Sequence, residues 1–115
     1  MSYTIDWTTS CEIVSNTNGT AYKFGNGLMI CTVAKEVTTD ATYGVTRWDY
    51  PVAFISAPVV CSNTTRTSGY KNALARVDGT NPTYTQFAWI NAADNSQLKS
   101  ETIPAFTAFA VGKWK

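Results

Sequence analysis

Short segments that alternate apolar and polar residues dominate this chain. Threonine, valine, isoleucine and aromatic residues fill these segments, and helix-forming residues never keep to one face at helical spacing over three turns. The pattern predicts an all-β protein built from short strands. The expected strands are residues 4–8, 12–15, 20–24, 28–37, 45–50, 59–62, 73–77, 83–91 and 106–114.

Dipeptides that favour a positive φ separate several of these strands. Asn18-Gly19, Asn26-Gly27 and Asp78-Gly79 are predicted turns, and Asn26-Gly27 is predicted to close a tight hairpin. Pro58 and Pro82 are expected at strand starts, because proline cannot donate to a central ladder. Many short strands at this spacing predict an antiparallel β-sandwich, and the length fits one domain spanning residues 1–115.

Two apolar segments, residues 50–60 and 106–115, are the most informative parts of the pattern. The second predicts a strand that runs almost to the last residue, with Trp114 next to the end. Most termini fray, so a terminal strand implies that the C-terminus is built into the fold. Extensions there are expected to be poorly tolerated.

Charge is scarce and balanced. Charged residues make up 15% of the chain, whereas about 25% is usual, and the net charge is +1. No long-range field attracts a polyanion, so we expect no nucleic-acid partner. So little charge also gives little colloidal repulsion, which favours burial of apolar surface in an oligomer.

The three cysteines make neither a disulfide framework nor a zinc site. Cys31 and Cys61 lie in apolar strand-like segments, so buried free thiols are favoured over the alternative of a disulfide between them. Free thiols suggest folding in a reducing cytoplasm. Residues 1–7 have no basic region or apolar core, so no signal peptide is expected, and no segment is long enough to span a bilayer.

The residue inventory argues against catalysis. The chain contains no histidine, which removes the commonest general base and the usual metal ligand. Paired carboxylates could serve a glycosidase, but each candidate is expected to be an ordinary solvated carboxylate. These candidates are Glu36, Asp49, Asp78, Asp94 and Glu101. No phosphate-binding or calcium loop is present, so we expect no enzyme and no cofactor.

Sugar recognition needs aromatic faces and directional hydrogen-bonding groups, and the chain has both. The candidate contact residues are Arg47, Trp48, Arg66, Tyr70 and Asn72. The alternative places Trp48 and Trp89 in the core, which is favoured for Trp89 because large aromatics are mostly buried. For Arg66, Tyr70 and the neighbouring Lys71, a solvated loop is an equal alternative.

Three segments of the chain, residues 19–31, 50–60 and 108–115, resemble patterns in one known family, the C-terminal receptor-binding domains of bacteriophage tail fibre proteins. Residues 19–31, GTAYKFGNGLMIC, resemble the family's early hairpin, and residues 50–60, YPVAFISAPVV, resemble its central FPVAFSSAPSV pattern. Residues 108–115, AFAVGKWK, resemble its terminal WIAIGRWK, with Lys113 in place of arginine. The matching positions are strands and turns, so the resemblance assigns no ligand residue.

The resemblance implies an antiparallel β-sandwich related to the H-type lectins, assembled as a homotrimer at a fibre tip on the virion and made in the bacterial cytoplasm. It implies reversible, multivalent binding of a host cell-surface carbohydrate, with no membrane insertion. A purely structural trimerisation cap, a free-standing H-type lectin and a polysaccharide depolymerase remain open as alternatives.

Overall fold

In a computed structural model of the protein, residues 11–115 are described. These residues form nine β-strands and no helix. The strands are β1 (Cys11–Asn16), β2 (Gly19–Phe24), β3 (Leu28–Thr38), β4 (Val45–Asp49), β5 (Val59–Ser62), β6 (Thr65–Arg66), β7 (Asn72–Thr80), β8 (Tyr84–Asn91) and β9 (Thr102–Lys113). The strand predicted at residues 4–8 lies outside the described part of the chain.

The strands form two antiparallel sheets. One has five strands in the order β1-β2-β3-β9-β5, and the other has four in the order β4-β8-β7-β6. Buried residues of both sheets share one hydrophobic core, so the sheets pack face to face. The predicted all-β antiparallel fold class is confirmed.

Aromatic side chains fill the space between the sheets. Trp89 and Phe87 of β8 meet Phe106 of β9 at ring-centre distances of 5.8 and 5.4 Å. Trp89 is fully buried, and its Nε1 donates a hydrogen bond to Thr46 Oγ1 at 2.9 Å. The prediction that Trp89 belongs to the core is confirmed. Burying each such ring contributes on the order of 2 kcal/mol.

The predicted turns have three different outcomes. Asn26-Gly27 closes the β2–β3 hairpin as expected, with the Gly27 amide donating to Phe24 O at 3.0 Å. At Asn18-Gly19 the turn lies one residue earlier, because Gly19 pairs with Asn16 and begins β2. The turn predicted at Asp78-Gly79 is wrong: both residues lie in β7, where the register against β8 shifts between Val77 and Gly79. A glycine in a strand often indicates such a bulge.

The C-terminal strand is longer than predicted and is firmly attached. It begins at Thr102 rather than Phe106. Pro104 does not interrupt the strand, because it lies beside a register shift and is not required to donate a hydrogen bond to the neighbouring strand. At the other end, the Trp114 amide donates to Gly27 O at 3.0 Å and its Nε1 donates to Phe24 O at 2.8 Å. These bonds tie the last strand to the β2–β3 hairpin.

The cysteines are free, and they differ in burial. Cys31 is fully buried, and burial raises the pKa of its thiol to about 11, so it stays protonated at neutral pH. The prediction that Cys61 is buried is wrong. Its neighbour Val60 points into the core, so strand alternation places the Cys61 side chain on the outer face.

Candidate functional site

Polar side chains collect on the outer face of the four-stranded sheet. On β8, Thr85, Phe87 and Trp89 are buried, so Tyr84 and Gln86, which alternate with them, face outward. On β4, alternate residues are buried, so Arg47 and Asp49 point outward. On β7, Asp78 lies on the same outer face, next to Gln86. This outer surface, the polar face, combines charged, amide and phenol groups.

A shallow groove with a volume of about 320 Å³ crosses the polar face. Its lining residues are Tyr43, Val45, Arg76, Asp78, Gln86, Ala88 and Gln97. Asp78 holds the polar groups together: Gln86 Nε2 donates to its Oδ2 at 3.2 Å, and Arg76 Nη2 lies 3.8 Å from its Oδ1. Because these side chains restrain one another, the groove presents donors and acceptors in preset directions.

The loop between β3 and β4 places Tyr43 at one side of the groove. The Asp40 carboxylate accepts hydrogen bonds from the amides of Tyr43, Gly44 and Val45 at 2.8, 2.7 and 3.2 Å. These backbone donors lower the Asp40 pKa. The Tyr43 ring remains 63% exposed, so its face is available for stacking.

The loop between β8 and β9 forms the opposite side of the groove. Asp94 Oδ1 accepts from the Ser96 hydroxyl at 2.6 Å and from the Ser96 amide at 3.0 Å, which lowers the Asp94 pKa. Gln97 follows in the chain and pairs with Ile90 of β8 through an isolated antiparallel β-bridge. The two loops meet closely, because a Cβ on Gly44 would lie 2.7 Å from Leu98 O.

A second depression of about 480 Å³, the Arg66 pocket, lies at the start of β7. Its lining residues are Thr64, Thr65, Arg66, Asn72, Ala73, Leu74 and Ala92. The buried Thr67 closes the adjoining loop, accepting at Oγ1 from the Lys71 amide at 3.1 Å. Tyr70 sits at the loop tip with φ +65° and 75% exposure, and the Arg66 guanidinium lies 4.8 Å from its ring centre.

The comparisons with known proteins bear on this architecture. No family model matches the chain, and no curated protein matches it. A C-terminal fragment of the R2 pyocin fibre of P. aeruginosa has a TM-score of 0.58 at 15% identity, covering 90% of this chain and 26% of that one. An N-truncated R1-type pyocin tail fibre has a TM-score of 0.62 at 14% identity, covering 89% of this chain and 84% of that one.

The fold is therefore that of a pyocin tail-fibre domain. At this level of identity the similarity shows a shared fold. It confirms the tail-fibre-like architecture expected from the sequence resemblance. The chain spans about a quarter of the R2 fibre fragment, so activities of the longer fibre do not transfer with the fold.

The tail-fibre fold brings some of the sequence-predicted contact residues together and separates others. Arg66 and Asn72 line the Arg66 pocket as cross-strand partners, and Tyr70 lies beside it, with its ring centre 4.8 Å from the Arg66 guanidinium. Arg47 lies on β4, at the opposite edge of the sheet, where its guanidinium bonds to Asp49 Oδ1 at 2.9 and 3.0 Å. It also covers the Tyr84 ring at 3.8 Å.

Trp48 does not reach the surface. It is 1% exposed, its ring packs edge-on against Tyr50 at 5.2 Å, and its Nε1 donates to Asn18 O at 2.8 Å. The core alternative considered for Trp48 is therefore the one the structure supports. We remove Trp48 from the candidate contact set.

None of the groove residues was among the predicted contacts. Tyr43, Asp78, Gln86 and Gln97 come from four separate segments, and only the sheet order brings them together. A usable signal was present on β7, where Arg76 and Asp78 alternate with Val77 and must share a face.

The described residues suit binding by hydrogen bonds and stacking. Within residues 11–115 no group of three or more histidine, cysteine or acidic side chains is placed to hold a metal ion. In that same part of the chain, no helix is long and apolar enough to cross a membrane. The groove pairs its one cation with its one carboxylate, so its lining carries no net charge and offers hydrogen-bond donors and acceptors.

The loops beside the groove are expected to loosen only in acid. The pKa of Asp40 and of Asp94 is lowered from the usual 3.8, so both carboxylates stabilise the folded loops fully above that pH. The contribution is lost as pH falls through the lowered value. An NMR pH titration should show the Gly44 amide shift changing with a midpoint below 3.8. Asp40→Asn should abolish this transition, and a midpoint at or above 3.8 would contradict the role of the carboxylate.

Proposed function

We propose that this chain is the receptor-binding head of a phage or prophage tail fibre, which attaches reversibly to a host cell-surface glycan without catalysis. The observation that carries the proposal is the groove: an exposed aromatic ring beside a preset guanidinium, carboxylate and amide set. The shared fold with pyocin tail fibres supports the setting at a fibre tip on the virion.

The glycan lies along β7 and contacts both depressions of the polar face. Tyr43 stacks on the apolar side of a sugar ring, while Arg76, Asp78, Gln86 and Gln97 exchange hydrogen bonds with its hydroxyls. The groove, at about 320 Å³, holds only a small part of a glycan chain. From Asp78 to Asn72 the strand extends roughly 20 Å, so several sugar units reach the Arg66 pocket.

Single sites of this kind bind weakly because the groove is shallow and open to water. A homotrimer presents three such sites to the same cell surface, which raises avidity without any new contact. The relation to H-type lectins remains a prediction from the sequence. The absence of nucleic-acid partners and the absence of membrane insertion also remain predictions from the sequence.

The test uses a panel of purified bacterial surface polysaccharides, screened on an array and then titrated by calorimetry. The double variant Arg76→Gln with Asp78→Asn removes both charges of the groove and leaves the net charge and side-chain sizes nearly unchanged. We expect affinity for a bound polysaccharide to fall at least about tenfold, since lost directional hydrogen bonds are each worth about 1 kcal/mol. Arg66→Ala with Tyr70→Ala should weaken binding similarly, and should leave the oligomer intact.

The control is a second charge pair on the same face, Arg47 with Asp49, which lies on β4 outside the groove; a glycan path along β7 therefore leaves Arg47 out of the contact set. Arg47→Gln with Asp49→Asn makes the same neutral change to an ion pair that does not line the groove, and it should bind as the unchanged chain does. Binding that survives both the Arg76 and the Arg66 variants would overturn the site. An unchanged chain that binds no polysaccharide would overturn the function, and release of reducing ends would favour the depolymerase alternative.

A further inference from the structure

The three arginines of the chain lie on the polar face, but only two of them are neutralised there. Arg47 pairs with Asp49, two positions later on β4, at an N–O distance of 2.9 Å. Arg76 pairs with Asp78 in the same way on β7, at 3.8 Å. Arg66 has a serine at the corresponding position, and within residues 11–115 it forms no ion pair.

The lining of the Arg66 pocket therefore carries a net positive charge. It contains no aspartate or glutamate, whereas the guanidinium in the groove faces a carboxylate. The neighbouring Lys71 is neutralised separately, by Glu101 at 2.6 Å. Among the described residues, none accepts a hydrogen bond from Arg66, so all the N–H donors of its planar guanidinium remain for a ligand or for water.

The loop between β6 and β7 fixes the Tyr70 ring beside this guanidinium. Tyr70 has φ +65°, a strained conformation for a residue with a side chain, and such residues are often found at ligand-binding sites. Backbone bonds hold it there: the Tyr70 amide donates to Thr67 O at 3.0 Å, and the Thr67 amide donates to Lys71 O at 2.9 Å. The ring contacts the guanidinium through its face, 4.8 Å from the ring centre. Arg66 is therefore positioned without using its hydrogen-bond donors.

We propose that the Arg66 pocket binds an anionic group of the glycan, a carboxylate or a phosphate on one sugar unit, whereas the groove binds uncharged hydroxyls. The inference rests on the proposed function and names the class of glycan. The fork of a guanidinium matches two oxygens of either anion. Asn72, the cross-strand partner of Arg66, adds an amide on the same face. The net charge of the chain is only +1, so the selection acts at contact and not through a long-range field.

The test compares three probes that differ only at C6: methyl glucoside, methyl glucuronide and methyl glucoside 6-phosphate. Each is titrated into the full chain and followed by NMR at the Arg66 Nε–H signal and the Asn72 side-chain amide. We expect both anionic probes to bind at least about tenfold more tightly than methyl glucoside, because charged hydrogen bonds are the stronger ones. Raising the salt concentration from about 50 mM to about 500 mM should weaken only the anionic probes. The tighter anionic probe identifies the group as carboxylate or phosphate.

Arg66→Gln removes the charge and keeps an amide donor. Followed at the Asn72 amide, it should weaken the anionic probes at least about tenfold and leave methyl glucoside unchanged. Lys35→Gln is the matched control, since it makes the same change in net charge at an exposed position of the other sheet, and it should bind as the unchanged chain does. Equal affinity for charged and neutral probes, no response at Arg66, or an equal loss in Lys35→Gln would overturn the proposal.

The anionic pocket and the proposed function can fail separately. A polysaccharide that shifts the side-chain amides of Gln86 and Gln97 in the groove, in a chain whose Arg66 takes no anionic probe, would support glycan binding and overturn the anionic pocket. Anionic probes that bind at Arg66, in a chain that binds no polysaccharide, would support the anion site and overturn the proposed function.

Discussion

Replacing Gly19 with alanine is expected to lower the free energy of unfolding by at least about 3 kcal/mol. Gly19 has φ +123°, a backbone conformation that residues with a side chain rarely adopt. An added Cβ would lie 2.1 Å from Thr32 O and 3.3 Å from Val33 Cβ. The nearest obstacle is backbone of the neighbouring strand, so relief requires β2 and β3 to separate where they pair.

The measurement is urea unfolding followed by tryptophan fluorescence and circular dichroism. Gly69→Ala is the matched control, because its Cβ would meet only Thr67 Oγ1, at an ordinary 3.7 Å. That variant should change the free energy of unfolding by no more than about 0.5 kcal/mol. A Gly19→Ala protein within about 1 kcal/mol of the unchanged chain would show that the β2–β3 register is not fixed at this point.

Gly19 also shows what a local sequence signal can and cannot predict. The Asn18-Gly19 dipeptide correctly indicated a hairpin, but the glycine is required by the neighbouring strand and not by the turn itself. At Asp78-Gly79 the same kind of signal was misleading, because pairing with β8 continues past the glycine as a bulge. Such a dipeptide indicates that a positive φ is tolerated, whereas strand pairing determines whether the glycine lies in a turn or in a strand.

Strand alternation predicted most strands, and what it missed has physical reasons. β6 has only two residues, too short for any period to show. The start of β9 was hidden by Pro104, which is tolerated only because the register shifts there. Cys61 was assigned to the core from the hydrophobicity of its segment, although its neighbour Val60 already occupied the inward position.

The candidate site was predictable where its parts are close in sequence. Arg66, Tyr70 and Asn72 flank one short loop, so their convergence follows from local structure alone. The groove, in contrast, needs Tyr43 from one loop, Arg76 and Gln86 from two strands, and Gln97 from a second loop. Only knowledge of the strand order β4-β8-β7 places these side chains together.

Trp48→Ala is expected to cost about 3–5 kcal/mol of stability, as is usual when a buried aromatic is removed from a core. Trp48 belongs to β4 in the four-stranded sheet, yet its Nε1 donates to Asn18 O in the β1–β2 hairpin of the other sheet. Its loss therefore removes packing and also one link between the sheets. Urea unfolding measures the loss, and Trp48→Phe, which keeps most of the packing, should lose less.

The adjacent Tyr50 supplies the control. Burial raises the pKa of its hydroxyl to about 12, an effect that the nearby Thr85 hydroxyl partly offsets, and no described residue lies in good hydrogen-bonding geometry with the hydroxyl. Tyr50→Phe removes only that unpartnered group, so stability should stay equal or increase by about 1 kcal/mol. If Trp48 contacted ligand instead, Trp48→Phe would keep its stability and lose polysaccharide affinity. The core assignment requires the opposite, a less stable protein whose folded molecules bind polysaccharide unchanged.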